Sequence, residues 1–260
     1  FKIAAFPFHM WVPDVYEGSP TTIAALFSTG GKAAAFSAII ATLFALFNEP
    51  AGNLFTPYLA VISVLSMFYG SIVAIAQDNI KRMLAYSSIS HAGYLAIGLA
   101  AGNHDAVAGV IFYLAAYTFM NLGAFGIVSL LEGKDETNLS INSYAGLGNR
   151  KPLLSAMLAI IMFSLAGLPP FAGFFGKYYI FIAAVKSNLT WLAILGVLSS
   201  AISVYFYLRI VVLMYFKSSE NEFEIESSNN SMLAIIFSIL VVILLGVFPG
   251  TFLDLITRFI

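Results

Sequence analysis

Three lysines, Lys2, Lys32 and Lys177, stand in stretches that are otherwise almost wholly apolar, in a chain with 12 lysines and arginines among 260 residues. A lysine near the centre of a membrane-spanning helix costs roughly 2.5–3.5 kcal/mol to insert, so three would cost about 7–10 kcal/mol. Burial disfavours the charged ammonium form, so such a lysine takes up and releases a proton as its surroundings change. The placement of these side chains therefore indicates proton transfer inside a membrane.

Two structural explanations compete with proton transfer. A lysine or arginine near the end of a span can extend its charge to the interface, which we expect for Lys186, Arg209 and Lys217. A buried ion pair is the second explanation, but no Asp or Glu lies inside any predicted span. We therefore expect an acidic partner to come from a missing N-terminal part or from another subunit.

Weaker polar candidates lie on two further spans and near the N-terminus. Tyr113, Tyr117 and Asn121 recur at four-residue spacing, hence on one helical face, and His91 lies on the preceding span. Together these groups could hold a chain of waters, although a lone histidine is usually a hydrogen-bonded interior residue. His9 could gate proton uptake or simply anchor the loop that follows it.

Composition limits the class of protein. The chain is 60% hydrophobic and 10% charged, with a mean hydropathy of +0.91, whereas about a quarter of a soluble domain is charged. The absence of cysteine excludes disulfides, thiolate metal sites, cysteine-ligated iron–sulfur clusters and thiol nucleophiles. The net charge of −1 indicates no nucleic-acid partner. The composition predicts an all-α, polytopic membrane protein.

Apolar runs of 18 or more residues predict seven full spans after a partial span over residues 1–12. The full spans are 21–47, 56–76, 82–101, 107–131, 153–186, 190–216 and 232–251. The run 153–186 is too long for one straight crossing and contains Gly167-Leu168-Pro169-Pro170, which predicts a discontinuous helix. A simple proline kink is the alternative. We expect a single transmembrane domain over 1–260, truncated at its N-terminus.

Counting along these spans predicts a similar depth for the three lysines. Lys2 precedes the loop near Pro13 by about ten residues, or about 15 Å of helix in a roughly 30 Å core. Lys32 lies about 11 residues into its span, and Lys177 lies about nine residues before the end of its own. We therefore expect all three near the membrane centre.

Basic residues between alternating spans predict the orientation. One side receives Lys81, Arg82, Lys134, Arg150, Lys151 and Lys217. The other side receives only Lys186 and Arg258. The positive-inside rule places the first side in the cytoplasm and the C-terminus outside. On the inner side we expect a solvated connector formed by the acidic residues Glu220, Glu222, Glu224 and Glu226.

Four motifs resemble those of the antiporter-like subunits of respiratory complex I. They are FKIAAFPFHMWVPDVYEGSP (1–20), GKAA (31–34), DNIKRMLAYSSISH (78–91) and LAGLPPFAGFFGK (165–177). Within that family, a lysine instead of a glutamate at position 177 resembles the N-type and L-type subunits, and Tyr16-Glu17-Gly18 then favours the N type over the L type. The resemblance covers essentially the whole chain.

The resemblance implies a fourteen-helix fold with two inverted five-helix repeats, each containing one broken helix. This chain would correspond to about half of it, from within the seventh helix to the C-terminus. Lys2 would be the lysine of the first broken helix, Lys32 the connecting lysine of the eighth helix, and Lys177 the lysine of the second broken helix. The acidic partner of Lys2 would lie on the fifth helix, outside this chain.

The function implied by the resemblance is proton translocation in the inner membrane of a bacterium. A proton would reach Lys2 or Lys32 from the inner side, pass along a hydrated axis and leave from Lys177. Quinone reduction in other subunits would drive this, with NADH, FMN, iron–sulfur clusters and quinone bound elsewhere in the complex and no cofactor or metal on this chain. Its partners would be lipid and the neighbouring antiporter-like and small membrane subunits. The alternatives are a multisubunit cation/proton antiporter, a membrane-bound hydrogenase-type complex and a structural scaffold.

Overall fold

The computed structural model describes residues 1–47, 55–133, 138–218 and 229–260, and within those ranges the fold is all-α, as predicted. The helices are α1 (Trp11–Gly18), α2 (Thr21–Leu26), α3 (Lys32–Phe47), α4 (Thr56–Ile75), α5 (Ile80–Ala101), α6 (His104–Leu131), α7 (Leu147–Arg150), α8 (Pro152–Ala166), α9 (Ala172–Lys186), α10 (Thr190–Phe216), α11 (Asn229–Val247) and α12 (Pro249–Thr257). A π-helical turn, Phe27–Gly31, joins α2 to α3. A 3-10 turn, Ile141–Tyr144, precedes α7.

Five helical segments of the described ranges are long and apolar enough to cross a membrane. They are Thr21–Leu43, Thr56–Ile75, His104–Leu131, Thr190–Phe216 and Asn230–Val247. The 22-residue helix α5 does not belong to this set, although a span was predicted there. Every residue of α5 except Arg82 is buried, because α1, α4, α6, α9 and α10 pack around it. Its polar side chains therefore face other helices, which explains why α5 is less apolar than the five candidate spans.

The predicted discontinuity in 153–186 is confirmed. Helix α8 ends at Ala166, and α9 begins at Ala172. Gly167 ends α8 in the left-handed conformation at φ 86°, which favours glycine. The two prolines that follow lack an N–H group and cannot continue the helix. The last carbonyl groups of α8 must therefore be satisfied by other groups.

The N-terminal segment differs from the prediction. Residues 1–10 form turns, whereas a helical end of a span was predicted over 1–12, and α1 occupies the region where a loop was expected. Ala4 has a φ of 62°, and Pro7 has no N–H to donate, so a continuous helix cannot pass through this segment. The helical rise used to estimate the depth of Lys2 therefore does not apply, and Lys2 is exposed.

Polar contacts fix the start of α5 on the side that carries most basic residues. Arg82 donates to Asp14 (2.9 Å) and to Glu17 (2.6 Å) on α1. Asn79 caps α5 by accepting from the backbone N–H groups of residues 81 and 82, and its amide donates to Glu17. These contacts set the register of α5 against α1. Lys134 and the acidic residues Glu220, Glu222, Glu224 and Glu226, which entered the prediction of orientation, lie outside the described residues.

Glycines allow α4 and α5 to approach closely. A Cβ atom at Gly93 would lie 2.6 Å from Met67 Cγ, 2.7 Å from Met67 N and 2.8 Å from Ser63 O. At Gly70, on the facing helix, a Cβ would lie 2.6 Å from Ser90 N. Because several of these neighbours are backbone atoms, a side chain at either position would have to push the helices apart.

We expect Gly93→Ala to lower the free energy of unfolding by about 1–3 kcal/mol, because overpacking forces the backbones of α4 and α5 apart. Thermal unfolding of the purified full-length protein in detergent measures this change. Gly250→Ala is the matched control, since nothing lies within 4 Å of a Cβ at that position. Equal unfolding temperatures for the two variants would contradict the close packing.

Candidate functional site

Lys177 projects from α9 onto the broken end of α8. Its Nζ donates to the carbonyl oxygens of Leu165 (3.2 Å) and Ala166 (3.0 Å) and to Ser200 Oγ (2.9 Å) on α10. These carbonyl groups are at the C-terminal end of a helix, where the macrodipole is negative and favours a cation. Only 4% of Lys177 is exposed, so the break in the helix supplies the acceptors that a buried ammonium group requires.

Lys32 has a comparable but distinct environment at the start of α3. Its Nζ donates to the backbone carbonyl (2.5 Å) and to the hydroxyl (2.7 Å) of Ser88 on α5. Tyr16 lies on the other side of that hydroxyl, at 3.4 Å. Lys32 is 2% exposed and directly follows the π-helical turn.

Each ammonium group also lies over an aromatic ring. Lys32 Nζ is 5.0 Å from the ring centroid of Tyr117, and Lys177 Nζ is 4.8 Å from that of Tyr94. Both distances fall within the range of cation–π attraction. No carboxylate of a described residue lies within 4.0 Å of either lysine, so carbonyl, hydroxyl and aromatic groups stabilise both cations.

His91 lies between the two tyrosines that carry these cations. Its ring centroid is 4.9 Å from that of Tyr117 and 5.7 Å from that of Tyr94. Its Nδ1 is 2.6 Å from the hydroxyl of Tyr113, and its Nε2 is 3.0 Å from the hydroxyl of Tyr207. A neutral imidazole donates from one nitrogen and accepts at the other, so this arrangement accommodates either tautomer.

Serine hydroxyl groups extend the polar contacts around this axis. Ser87 hydrogen-bonds to the Tyr207 hydroxyl, and Tyr94 lies 3.2 Å from Ser199. Ser199 in turn lies 3.2 Å from Ser71, which contacts Ser90 at 2.9 Å. We name the series Lys32, Tyr117, His91, Tyr94 and Lys177, with its hydroxyl partners, the polar axis. It crosses the buried interior from α3 to α9 by way of α5 and α6.

The structure brings together three of the five predicted site residues. Lys32, His91 and Lys177 lie on the polar axis, whereas Lys2 is exposed in the N-terminal turns. His9 is buried against aromatic rings, with its ring centroid 4.4 Å from that of Tyr69. Its Nδ1 has no hydrogen-bond partner among the described residues.

Helix α10 contributes two side chains to the site that were not predicted from the sequence. Tyr207 bonds to His91, and Ser200 bonds to Lys177. The signal was available, since Ser199, Ser203 and Tyr207 recur at four-residue spacing, as do Tyr113, Tyr117 and Asn121. Of that second series, Asn121 does not reach the axis and instead donates to the Tyr117 carbonyl at 3.0 Å.

Metal binding finds no support in the part of the chain that the structure describes. No group of three or more histidine, cysteine, aspartate or glutamate side chains is arranged there to hold an ion. The polar axis consists instead of lysine, histidine, tyrosine and serine groups, all of which donate or accept protons. Such groups can exchange protons with one another.

The helical bundle, its broken helix and its buried lysines match a known class of membrane protein. Residues 1–203 match the family model described as NADH:quinone oxidoreductase/Mrp antiporter, TM, and the chain belongs to that family. This confirms the family resemblance found in the sequence motifs.

Curated relatives in this family are bacterial subunits. The chain is 52% identical over 224 residues to "NADH-quinone oxidoreductase subunit N" of Trichlorobacter lovleyi, and the alignment covers 86% of this chain and 46% of the relative. It is 46% identical over 257 residues to "NADH-quinone oxidoreductase subunit N 1" of Chloroherpeton thalassium, which covers 98% and 53%. The chain thus spans about half the length of the curated relatives it matches.

Solved structures agree with this assignment. A chain of respiratory complex I from Thermus thermophilus superposes with a TM-score of 0.84 at 35% identity, covering 97% of this chain and 55% of that one. A chain of the Mrp complex from Dietzia gives a TM-score of 0.85 at 20% identity, covering 98% and 56%. The second likeness shows a shared fold only.

We expect Tyr207→Phe to lower the free energy of unfolding by about 1–3 kcal/mol, because it leaves the His91 Nε2 and Ser87 without their buried hydroxyl partner. Thermal unfolding of the full-length protein in detergent measures the loss. Tyr205→Phe is the matched control. It removes the same hydroxyl group from a tyrosine two residues earlier that is 60% exposed, so it should change stability little. Similar losses in both variants would show that the His91 contacts contribute nothing.

Proposed function

We propose that this chain is part of a proton-translocating membrane subunit of an NADH:quinone oxidoreductase. The observation that carries the proposal is the burial of two ammonium groups, Lys32 and Lys177, on either side of His91. Burying a lysine in a membrane protein is costly, and these two have no carboxylate partner among the described residues, so a role in proton transfer accounts for their burial. The similarity to subunit N of other bacteria supports the type of complex.

The mechanism we propose is an electrostatic relay. A proton that binds Lys32 makes it an ammonium ion, and its charge disfavours a second positive charge along the same low-dielectric axis. Lys177 then releases its proton toward the other side. His91 lies between the two lysines, and one of its ring nitrogens can accept a proton as the other donates one, in exchange with the hydroxyl groups of Tyr113 and Tyr207.

The surroundings of each lysine favour different stages of this relay. At Lys177 the carbonyl groups at the end of α8 hold the ammonium form, so release requires a nearby positive charge or a movement of the broken helix. At Lys32 the Ser88 hydroxyl can reorient, and it can donate to a neutral amine as readily as it accepts from an ammonium group. Lys32 also donates to the Ser88 carbonyl, and Lys177 also donates to the Ser200 hydroxyl. The difference is that two carbonyl groups at a helix end hold Lys177, and on this difference we propose proton uptake at Lys32 and release at Lys177.

The remainder of the complex would supply the driving force. NADH, FMN, iron–sulfur clusters and quinone would react in other subunits, while neighbouring antiporter-like and small membrane subunits would cover the lipid-facing helices. We propose a bacterial inner membrane with the C-terminus outside, and a single domain that includes helices absent from this chain. Lys2, paired with an acid from those helices, would take up protons from the inner side as Lys32 does.

A subunit of a cation/proton antiporter complex is the second candidate function. The family description includes Mrp antiporters, and the fold is shared with the Mrp complex from Dietzia. The same buried lysines would then exchange protons against a cation. Sodium dependence of proton movement distinguishes this function from redox-driven pumping.

Proton pumping should fall at least about tenfold in Lys177→Ala, because a positioned proton-transfer group contributes about 10²–10⁴ in rate. NADH-driven acidification of inverted membrane vesicles, containing the full-length subunit in its complex, measures the loss. Lys186→Ala is the matched control, since Lys186 is exposed at the end of the same helix and pairs with Asp105 at 2.5 Å.

Wild-type pumping by the Lys177→Ala complex would exclude the relay. A requirement for sodium in the wild-type vesicles would instead favour the antiporter function. The amount of assembled complex in the membrane must match between variants, so that a loss of pumping reports proton transfer and not assembly.

A further inference from the structure

The carboxylate of Glu132 lies where the end of α6 meets the start of α2. Thr21, the first residue of α2, donates its hydroxyl to Glu132 Oε2. Thr21 is 1% exposed, whereas Glu132 is partly exposed. Glu132 follows Leu131 on the side of the bundle where Arg82 begins α5. Its carboxylate therefore contacts both solvent and the buried start of the helix that leads to Lys32.

Buried hydroxyl groups continue from Thr21 toward Lys32. Ser28 and Thr29 are 0% and 4% exposed and lie in the π-helical turn that follows α2, seven and eight residues after Thr21. Both hydroxyl groups donate to the Ala25 carbonyl at 2.8 Å, which leaves their oxygen lone pairs free to accept. Lys32 follows directly after this turn, and α6 packs along the whole segment.

Helix stability does not account for a glutamate at this position on α6. A negative charge at the C-terminal end of a helix is unfavourable, because the macrodipole is negative there. The same carboxylate does satisfy the Thr21 hydroxyl, and the buried Lys81 lies close by, donating to the Ser19 carbonyl at 2.9 Å. An anchoring role for Glu132 is therefore the alternative that an experiment must separate from proton transfer.

We propose that Glu132 is the residue through which protons from the Arg82 side of the bundle reach Lys32. The inference rests on the proposed function. The carboxylate takes a proton from solvent and becomes a neutral carboxylic acid. It passes the proton along the hydroxyl groups of Thr21, Ser28 and Thr29, and water between them, to the neutral amine of Lys32. Lys32 becomes an ammonium ion, and Glu132 returns to the carboxylate.

The test uses the full-length subunit in its complex, in inverted vesicles with NADH-driven proton movement as the readout. Glu132→Gln keeps an oxygen for Thr21 but carries no transferable proton, so we expect pumping to fall about tenfold or more. Glu132→Asp should restore most of it. Added formate, a small carboxylate that can carry protons into the gap, should accelerate Glu132→Gln but not the wild type or Lys32→Ala.

The outcomes separate this inference from the proposed function. If Lys32→Ala pumps like the wild type, the proposed function fails and the inference with it. If Lys32→Ala is inactive but Glu132→Gln pumps normally, the relay stands and Glu132 is not its proton source. If Glu132→Gln is inactive and neither the aspartate variant nor formate restores pumping, Glu132 is an anchoring residue, which also overturns the inference.

Discussion

The hydrogen bonds between the Lys177 ammonium group and the end of α8 are the interaction on which the rest of the structure depends. In a continuous helix, the carbonyls of Leu165 and Ala166 would be occupied by backbone N–H groups, and the lysine would be left without acceptors. The break after Ala166 frees them. The glycine and prolines of the break and the lysine ten residues later therefore form one unit.

Helix α5 connects this unit to the second buried lysine. It carries Ser88, which holds Lys32, and His91 and Tyr94, which continue toward Lys177. A helix with so many polar groups would be unstable facing lipid, because unsatisfied polar groups in hydrocarbon are costly. Five helices pack around α5 and separate it from lipid. The hydrogen bond from Arg82 to Glu17 fixes the start of α5 against α1. The site is thus built on the most enclosed element of the bundle.

Local sequence signals predicted the elements well and the pairings poorly. The apolar runs predicted the five spans found among the described residues, and Gly167-Leu168-Pro169-Pro170 predicted the break, because both signals report on a single segment of chain. The pairing of Lys32 with Ser88, 56 residues away, depends on how helices pack, and no local pattern encodes it. Tyr207 was missed for the same reason, since its partner His91 is 116 residues away. The prediction of a helix over residues 1–12 was wrong because it followed the apolar pattern and gave too little weight to Pro7, which interrupts a helix.

A double-mutant cycle on proton flux tests the central claim that Lys32 and Lys177 act in series along one axis. The NADH-driven pumping rate is measured for Lys32→Ala, Lys177→Ala and the double variant, at equal amounts of assembled complex. If the lysines form one relay, the double variant pumps no more slowly than the slower single variant, because either loss already interrupts the path. Losses that multiply in the double variant would show that the two lysines serve separate proton paths.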